Sequence, residues 1–243
     1  MDPLAPLLDL PGVADGVART RTAVDTLLGN RTLRRSSADV SAESSLRGAW
    51  ASAWLAGHET ALEDVRSGEA TADPVVQGAL RAQSSIGSLA DTWTHAPRQV
   101  LARLHALAAA DLVDADELGR PAQGTAERMD TLAMVLASTS VPAVVVAAIV
   151  HAEVLGLDVF PPVSGVVARA ATRLTLVDRG LDPKSLVVVE AGHRELQAEY
   201  DAAVEAYRSE TPEGIGRWLV HCCDALVAGA LEATAICQAI ARG

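Results

Sequence analysis

The stretch from His151 to Arg169, HAEVLGLDVFPPVSGVVAR, holds the residues of this chain whose types and spacing could do chemistry. It reads as the end of a buried helix, a tight turn through Pro161-Pro162 and Ser164-Gly165, and the start of a second helix. The first amides of a helix lack intrahelical acceptors, so a phosphate can sit against them. Ser164, Gly165 and Arg169 are placed to hold such an anion, and Asp158 is placed to act beside it. An aspartate with its usual pKa of about 4 is a poor base for an alcohol, although it can orient a hydroxyl. Pro161 and Pro162 bring no N–H to the turn, and the β-branched Val163 disfavours positive φ. The turn has the frame of a nucleotide-handling site and few of its donors.

Other reactive side chains form no pattern. His151 sits among apolar neighbours and reads as a hydrogen-bonded core histidine, while His105, His193 and His221 are scattered without ligand spacing. Cys222, Cys223 and Cys237 make no CxxC pair and read as reduced, buried thiols. Adjacent helical positions point about 100° apart, so His221, Cys222 and Cys223 do not suggest a metal site. No metal and no cofactor are expected.

These groups must be positioned by helices. Alanine, leucine and valine fill a sequence with 49% apolar residues and one phenylalanine, which suits closely packed helices rather than a sheet sandwich. Residues 1–12 read as a loose arm, and a helix is predicted over 13–28, stopped by Gly29-Asn30. Further helices are predicted over 42–65, 74–88, 97–109, 125–138, 142–156, 164–179, 190–208 and 213–241, with a loop over 111–124. Lys184 to Val188 reads as a short extended piece or a single turn. Two units are expected: an N-terminal arm and helix over 1–40, and a helical domain over 41–243. Trp50 and Trp54, four apart, should pack on the core, with a self-association patch as the other reading. Small residues along the last helix permit close approach within the domain or across a homodimer.

The net charge is -11, with Lys184 the sole lysine and no basic stripe, so nucleic acid is not an expected partner. Thr131 to Val150 is twenty residues without a charge, long enough to cross a bilayer. Ser138-Thr139-Ser140 and Pro142 divide it, so it reads as two helices and no membrane partner is expected. The N-terminus lacks a basic region followed by an apolar run, and a cytoplasmic location is expected.

The helical stretch and its turn resemble the Fic (Fido) family, whose members carry HPFx(D/E)GNGRxxR within a small helical bundle. The resemblance runs from about Ser44 to the C-terminus and includes PAVVVAAIVHAEVL, ARAATRLTLVDRGLDPKSL and the closing helices; His151 takes the place of an upstream His. Position by position, the family's catalytic His falls at Asp158, its Pro at Val159, its Phe at Phe160 and its metal-binding acid at Pro162. The first Gly falls at Val163, the Asn at Ser164, the second Gly at Gly165, the first Arg at Val166 and the last Arg at Arg169. Residues 42–65 resemble the family's inhibitory helix, (S/T)xxxE(G/N), through Ser52, Ala56 and Gly57, with Ala56 where the Glu should be. Glu59 is a candidate substitute for that Glu. Asp116-Glu117-Leu118-Gly119-Arg120-Pro121 is the candidate for the family's target-docking flap, or a plain surface loop.

What the resemblance implies is an all-α Fic/Fido-like bundle with an N-terminal helical extension. The lost groups imply a protein without AMP transfer, acting in a bacterial cytosol by binding a protein partner, alone or as a homodimer. The alternative is a nucleotidyl or phosphoryl transferase of altered chemistry that uses Asp158 and Arg169. An ion pair between Asp158 and Arg169 is expected, because a partly buried Arg needs a counter-charge.

Overall fold

The computed structural model describes residues 2–242 of the chain. Twelve α-helices and two short 3-10 turns make up its regular structure. They are α1 (Val13–Leu28), α2 (Leu33–Leu55), α3 (Leu62–Ser67), α4 (Pro74–Ser84), α5 (Ile86–Trp93) and α6 (Pro97–Ala108). The second half holds α7 (Ala126–Ser138), α8 (Ala143–Gly156), α9 (Ser164–Asp178), α10 (Val189–Glu195), α11 (Gln197–Arg208) and α12 (Pro212–Arg242). The expected all-α class is what the chain adopts.

The centre of the bundle is α8. Every residue from Val144 to Val154 is buried, as a helix that is apolar on all sides requires. It packs onto α9, to which a short turn joins it, while α12 contacts α1, α2, α8, α10 and α11. The charge-free run Thr131–Val150 is indeed interrupted: α7 ends at Ser138 and α8 begins at Ala143. The only described helix long and apolar enough to span a bilayer is α12, and 56% of its most apolar stretch is buried in the core.

Three of the predicted helices differ from the sequence reading. The helix expected over 42–65 begins at Leu33, ends at Leu55 and is followed by the separate α3, so the expected 40/41 boundary falls inside α2. The cause of the stop is a Schellman turn: Gly57 has φ +88, its N–H bonds Trp54 O at 3.0 Å, and His58 N–H bonds Ala53 O at 3.1 Å. The stretches 74–88 and 190–208 each break into two helices, at Ser85 and Leu196. The N-terminal arm is fastened rather than loose: the Asp2 carboxylate accepts from Ser140 N at 2.6 Å and from Thr139 Oγ1 at 2.9 Å.

Trp50 and Trp54 are half-buried, and Trp50 packs against the core as expected. Their rings clasp the guanidinium of Arg194 from α10, at 4.3 Å and 4.8 Å from the ring centres. The Trp50 Nε1–H also donates to Thr60 O at 2.7 Å, which secures the chain after α2.

Beneath that clasp lies a fully buried ion pair. Arg173 of α9 donates through Nε and Nη2 to Glu190 of α10 at 2.9 Å, and the two side chains are 2% and 0% exposed. Its remaining donors reach Ser44 Oγ, Ser44 O and Ser185 O, each at 3.1–3.2 Å, and Gln83 of α4 also donates to Glu190. The pair therefore ties α2, α4, α9 and α10 together. Replacing one member leaves the other charged, buried and alone. Glu190→Ala is expected to lose about 3–5 kcal/mol in urea unfolding. The Glu190→Leu/Arg173→Met double variant should lose less than the sum of the single losses, and additive losses would mean that the two charges are not coupled.

Candidate functional site

The turn that joins α8 to α9 is built by a second Schellman motif. The Val159 N–H bonds Val154 O and the Asp158 N–H bonds Leu155 O, both at 3.1 Å. The residue in the left-handed position is Asp158, at φ +48, where glycine is the usual occupant. Aspartate tolerates that region better than most residues because its short side chain bonds locally. Here its carboxylate accepts from Ser164 Oγ at 2.6 Å, and that same oxygen accepts from Phe160 N at 2.8 Å. Asp158, Phe160 and Ser164 thus close a ring that fixes the turn. Phe160, 2% exposed, anchors it against the His105 ring at 5.2 Å. The Pro161-Pro162 bond is cis.

Three amides at the start of α9, those of Ser164, Gly165 and Val166, have no protein acceptor among the described residues. They open on a cleft of about 380 Å³ lined by Asp158, Pro162, Ser164, Gly165, Arg169, Leu55, Ala56, Tyr200, Asp201 and Arg208. The sequence-predicted Asp158, Ser164, Gly165, Arg169 and Ala56 are therefore brought to one cavity. Ser164 contributes its amide there, since its hydroxyl is committed to the turn.

Arg169 forms the floor of the cleft and is 2% exposed. Its Nε–H donates to Ser52 Oγ at 2.9 Å, one Nη2–H to Ser52 O at 2.8 Å, and one Nη1–H to Tyr200 Oη at 3.2 Å. The guanidinium lies over Gly165, where an added Cβ would stand 3.0 Å from Nη1, so a larger residue would displace it. The expected ion pair with Asp158 does not form. Asp158 is held by Ser164, and no described carboxylate lies within 4.0 Å of Arg169. Glu59 does not substitute either. It is exposed beyond the Gly57 turn, outside the cleft lining.

The inhibitory-helix pattern divides by role. Ser52 touches Arg169 directly, Ala56 faces the cleft as part of its wall, and Gly57 serves to end α2. The flap candidate forms turns without a strand; Gly119 N–H donates to His105 Nδ1 at 3.0 Å, and Ala122 N–H donates to Val159 O at 2.8 Å.

Tyr200, the second partner of Arg169, was not visible as a site residue, and neither was the histidine group behind it. His151 Nε2 lies 2.9 Å from Tyr200 Oη, and His193 Nδ1 lies 3.0 Å from His221 Nε2. The four rings and Trp218 form one buried aromatic group, although their spacing in the sequence carries no signal of it. Burial pushes the Tyr200 hydroxyl up, so it stays neutral, and burial together with Arg169 and His221 holds the His151 imidazole well below its usual range. Among the described residues no group of three His, Cys, Asp or Glu could hold a metal ion.

The dual role of Asp158 gives a stability prediction. Asp158→Asn should unfold within about 0.5 kcal/mol of the parent, because Asn tolerates the left-handed region and keeps an acceptor. Asp158→Val should lose about 2 kcal/mol, from backbone strain and the lost acceptor together. Equal denaturation midpoints for the two variants would contradict the assigned role.

Comparison of folds identifies the architecture. The chain is similar to a Fic family protein from Desulfovibrio desulfuricans G20, with a TM-score of 0.76 and 19% identity over 93% of this chain and 74% of that one. It is also similar to Fic-1 from C. elegans, with a TM-score of 0.68 and 15% identity over 92% of this chain and 73% of that one. No family model matches the sequence, and no curated protein matches it. The fold is that of Fic/Fido proteins.

Proposed function

We propose that this Fic-fold protein works by binding an anionic group in the Arg169 cleft and does not transfer AMP. The observation that carries this reading is a contrast between two arginines one helical turn apart on α9. Arg173 and Arg169 are equally buried, and each donates to the hydroxyl and carbonyl of a serine on α2, Ser44 and Ser52. Arg173 has Glu190 as counter-charge, whereas Arg169 has none and faces an open cleft. A buried cation without a carboxylate is costly, and an anion entering the cleft would offset that cost. The three free amides of α9 point the same way, since a helix N-terminus favours negative charge.

Loss of transfer chemistry has an equally local basis. The position of the family's base holds Asp158, whose carboxylate is engaged by Ser164 inside its own turn. Pro162 offers no oxygen from its side chain to a metal and no N–H to a phosphate. Absence of a single preorganised donor typically costs about 10²–10³ in rate, and here several are absent together. Ser164, Gly165 and Arg169 are the binding residues in this reading, with Ser52, Ala56 and Gly57 as the vestige of an inhibitory helix. The same anion-binding pocket suits a pseudoenzyme or scaffold that recognises a protein partner or pairs with a second copy in a bacterial cytoplasm.

Two measurements test this. Incubation with radioactive ATP and Mg²⁺ should label neither this protein nor a bystander; labelling abolished by Asp158→Ala would establish the transferase alternative instead. Titration of inorganic phosphate by calorimetry should show binding to the parent chain. Ala56→Glu, which puts a carboxylate on the wall beside Arg169, should raise Tm by a few degrees and weaken phosphate binding at least tenfold. Unchanged phosphate affinity in Ala56→Glu would remove Arg169 from the binding site.

A further inference from the structure

The histidine group behind Arg169 has a composition that neutral rings tolerate and charged rings do not. His151 comes from α8, His193 from α10, and His221 with Trp218 from α12; Tyr200 comes from α11 and Arg169 from α9. His151 and His193 are 0% exposed, and His221 is 2% exposed. His151 Nδ1, His193 Nε2 and His221 Nδ1 are buried without a hydrogen-bond partner. In a neutral imidazole one nitrogen carries a proton and the other accepts. The His193–His221 contact at 3.0 Å uses that asymmetry: one ring donates to the bare nitrogen of the other. With both rings protonated, two N–H groups would meet head to head.

Charges around the group come from every packed element and give little relief. Arg169 on α9 adds a buried cation beside His151 and His193. On the outer side only, Glu199 of α11 and Asp224 of α12 favour a charged His221, while Arg217 of α12 opposes it. Glu199 is already paired with Arg217 at 2.7 Å, and Asp224 with Arg19 of α1 at 2.7 Å. Neither His151 nor His193 has a carboxylate partner. Cys222 beside Tyr200 is buried, and its thiol stays protonated.

The segment that these rings hold is short. α10 and α11 are seven and twelve residues long, and α11 carries Tyr200, Asp201, Val204 and Arg208, which form one wall of the Arg169 cleft. We infer that His151, His193 and His221 form an acid-responsive latch, whose uptake of protons releases α10–α11 from α12 and opens that wall of the cleft. In the released state the imidazoles meet water and bind protons with their ordinary pKa near 6.5. In the latched state they stay neutral well below that pH: burial, aided by Arg217 and against the pull of Glu199 and Asp224, pushes His221 down to about 4, and the two inner rings are held lower than usual as well. The latch is therefore fully closed above the released-state pKa and weakens as pH falls through it.

Proton counting makes this measurable. Each imidazole neutral in the latched form and charged in the released form changes their ratio about tenfold per pH unit below pH 6. Three together change it about a thousandfold. Carboxylates contribute little down to about pH 5, because released Asp and Glu remain ionised there.

Two neighbouring cysteines report which part of the molecule opens. Cys222 lies on the Tyr200 side of α12, while Cys223 faces α1, against Thr20 and Gly16. The experiment is thiol labelling with dithiodipyridine between about pH 5 and pH 7, scaled to free cysteine, with the modified residue located by tandem mass spectrometry. The expected result is labelling of Cys222 ahead of Cys223, with a rate that rises towards a thousandfold per pH unit as pH falls. His221→Gln should lower that dependence to about a hundredfold. Labelling of Cys222 that is independent of pH, or that rises tenfold or less per unit, would overturn the latch; so would simultaneous labelling of both cysteines, which marks global unfolding. Should His221→Gln fail to fold, the parent's slope and the order of the two cysteines still decide. The effect on ligand binding rests on the anion-binding reading, whereas thiol labelling does not, so failure of one leaves the other standing.

Discussion

Two arginines buried on one face of α9 set most of what surrounds them. Arg169 and Arg173 project one helical turn apart toward α2, where Ser52 and Ser44 each offer a hydroxyl and a carbonyl. Gly48 lies between those serines, and an added Cβ there would come within 2.6 Å of Arg173 Nη2, so a larger residue would push that guanidinium out of its place beside Glu190. A guanidinium cannot shed its charge, so each must be met by acceptors or by an anion. Glu190 meets one of them. The cleft above the other is where the molecule departs from a simple structural bundle.

The same constraint explains why a turn with so few donors keeps its shape. In the Fic pattern the loop is a working surface, with glycines and an asparagine that leave amides open. Here the left-handed residue is Asp158, its carboxylate is tied to Ser164, and Phe160 is driven into the core against His105. These interactions serve the backbone of the turn. The cleft itself is shaped by the start of α9, the close approach of Arg169 to Gly165, and the seat of Arg169 on Ser52.

Much of the architecture was legible in the chain. Proline and glycine placements gave α1, α6, α8 and α9 within a residue or so, because caps and breakers act locally. The splitting of Thr131–Val150 into two helices followed from Pro142 and its serine-rich neighbours. The longer segments were harder. α2 starts nine residues earlier than its pattern suggested and carries a kink at Ser36; in those first turns only Leu33 and Val40, seven apart, are buried, too sparse a pattern to announce a helix. The breaks at Ser85 and Leu196 carry no Gly or Pro to announce them.

The sequence by itself determined the all-α class, the turn that gathers Asp158, Ser164, Gly165 and Arg169, and the absence of an N–H at Pro161 and Pro162 within it. All of these depend on near neighbours along the chain, where spacing translates directly into geometry. Tertiary structure alone decided the partners: Arg169 with Ser52 and Tyr200 rather than Asp158, Arg173 with Glu190, Arg194 between two tryptophans, and three distant histidines in one buried group. Such pairings join residues up to 144 positions apart, as for Arg194 and Trp50. Which polar group meets which inside a core is set by how helices cross, and periodicity along one helix holds no record of that.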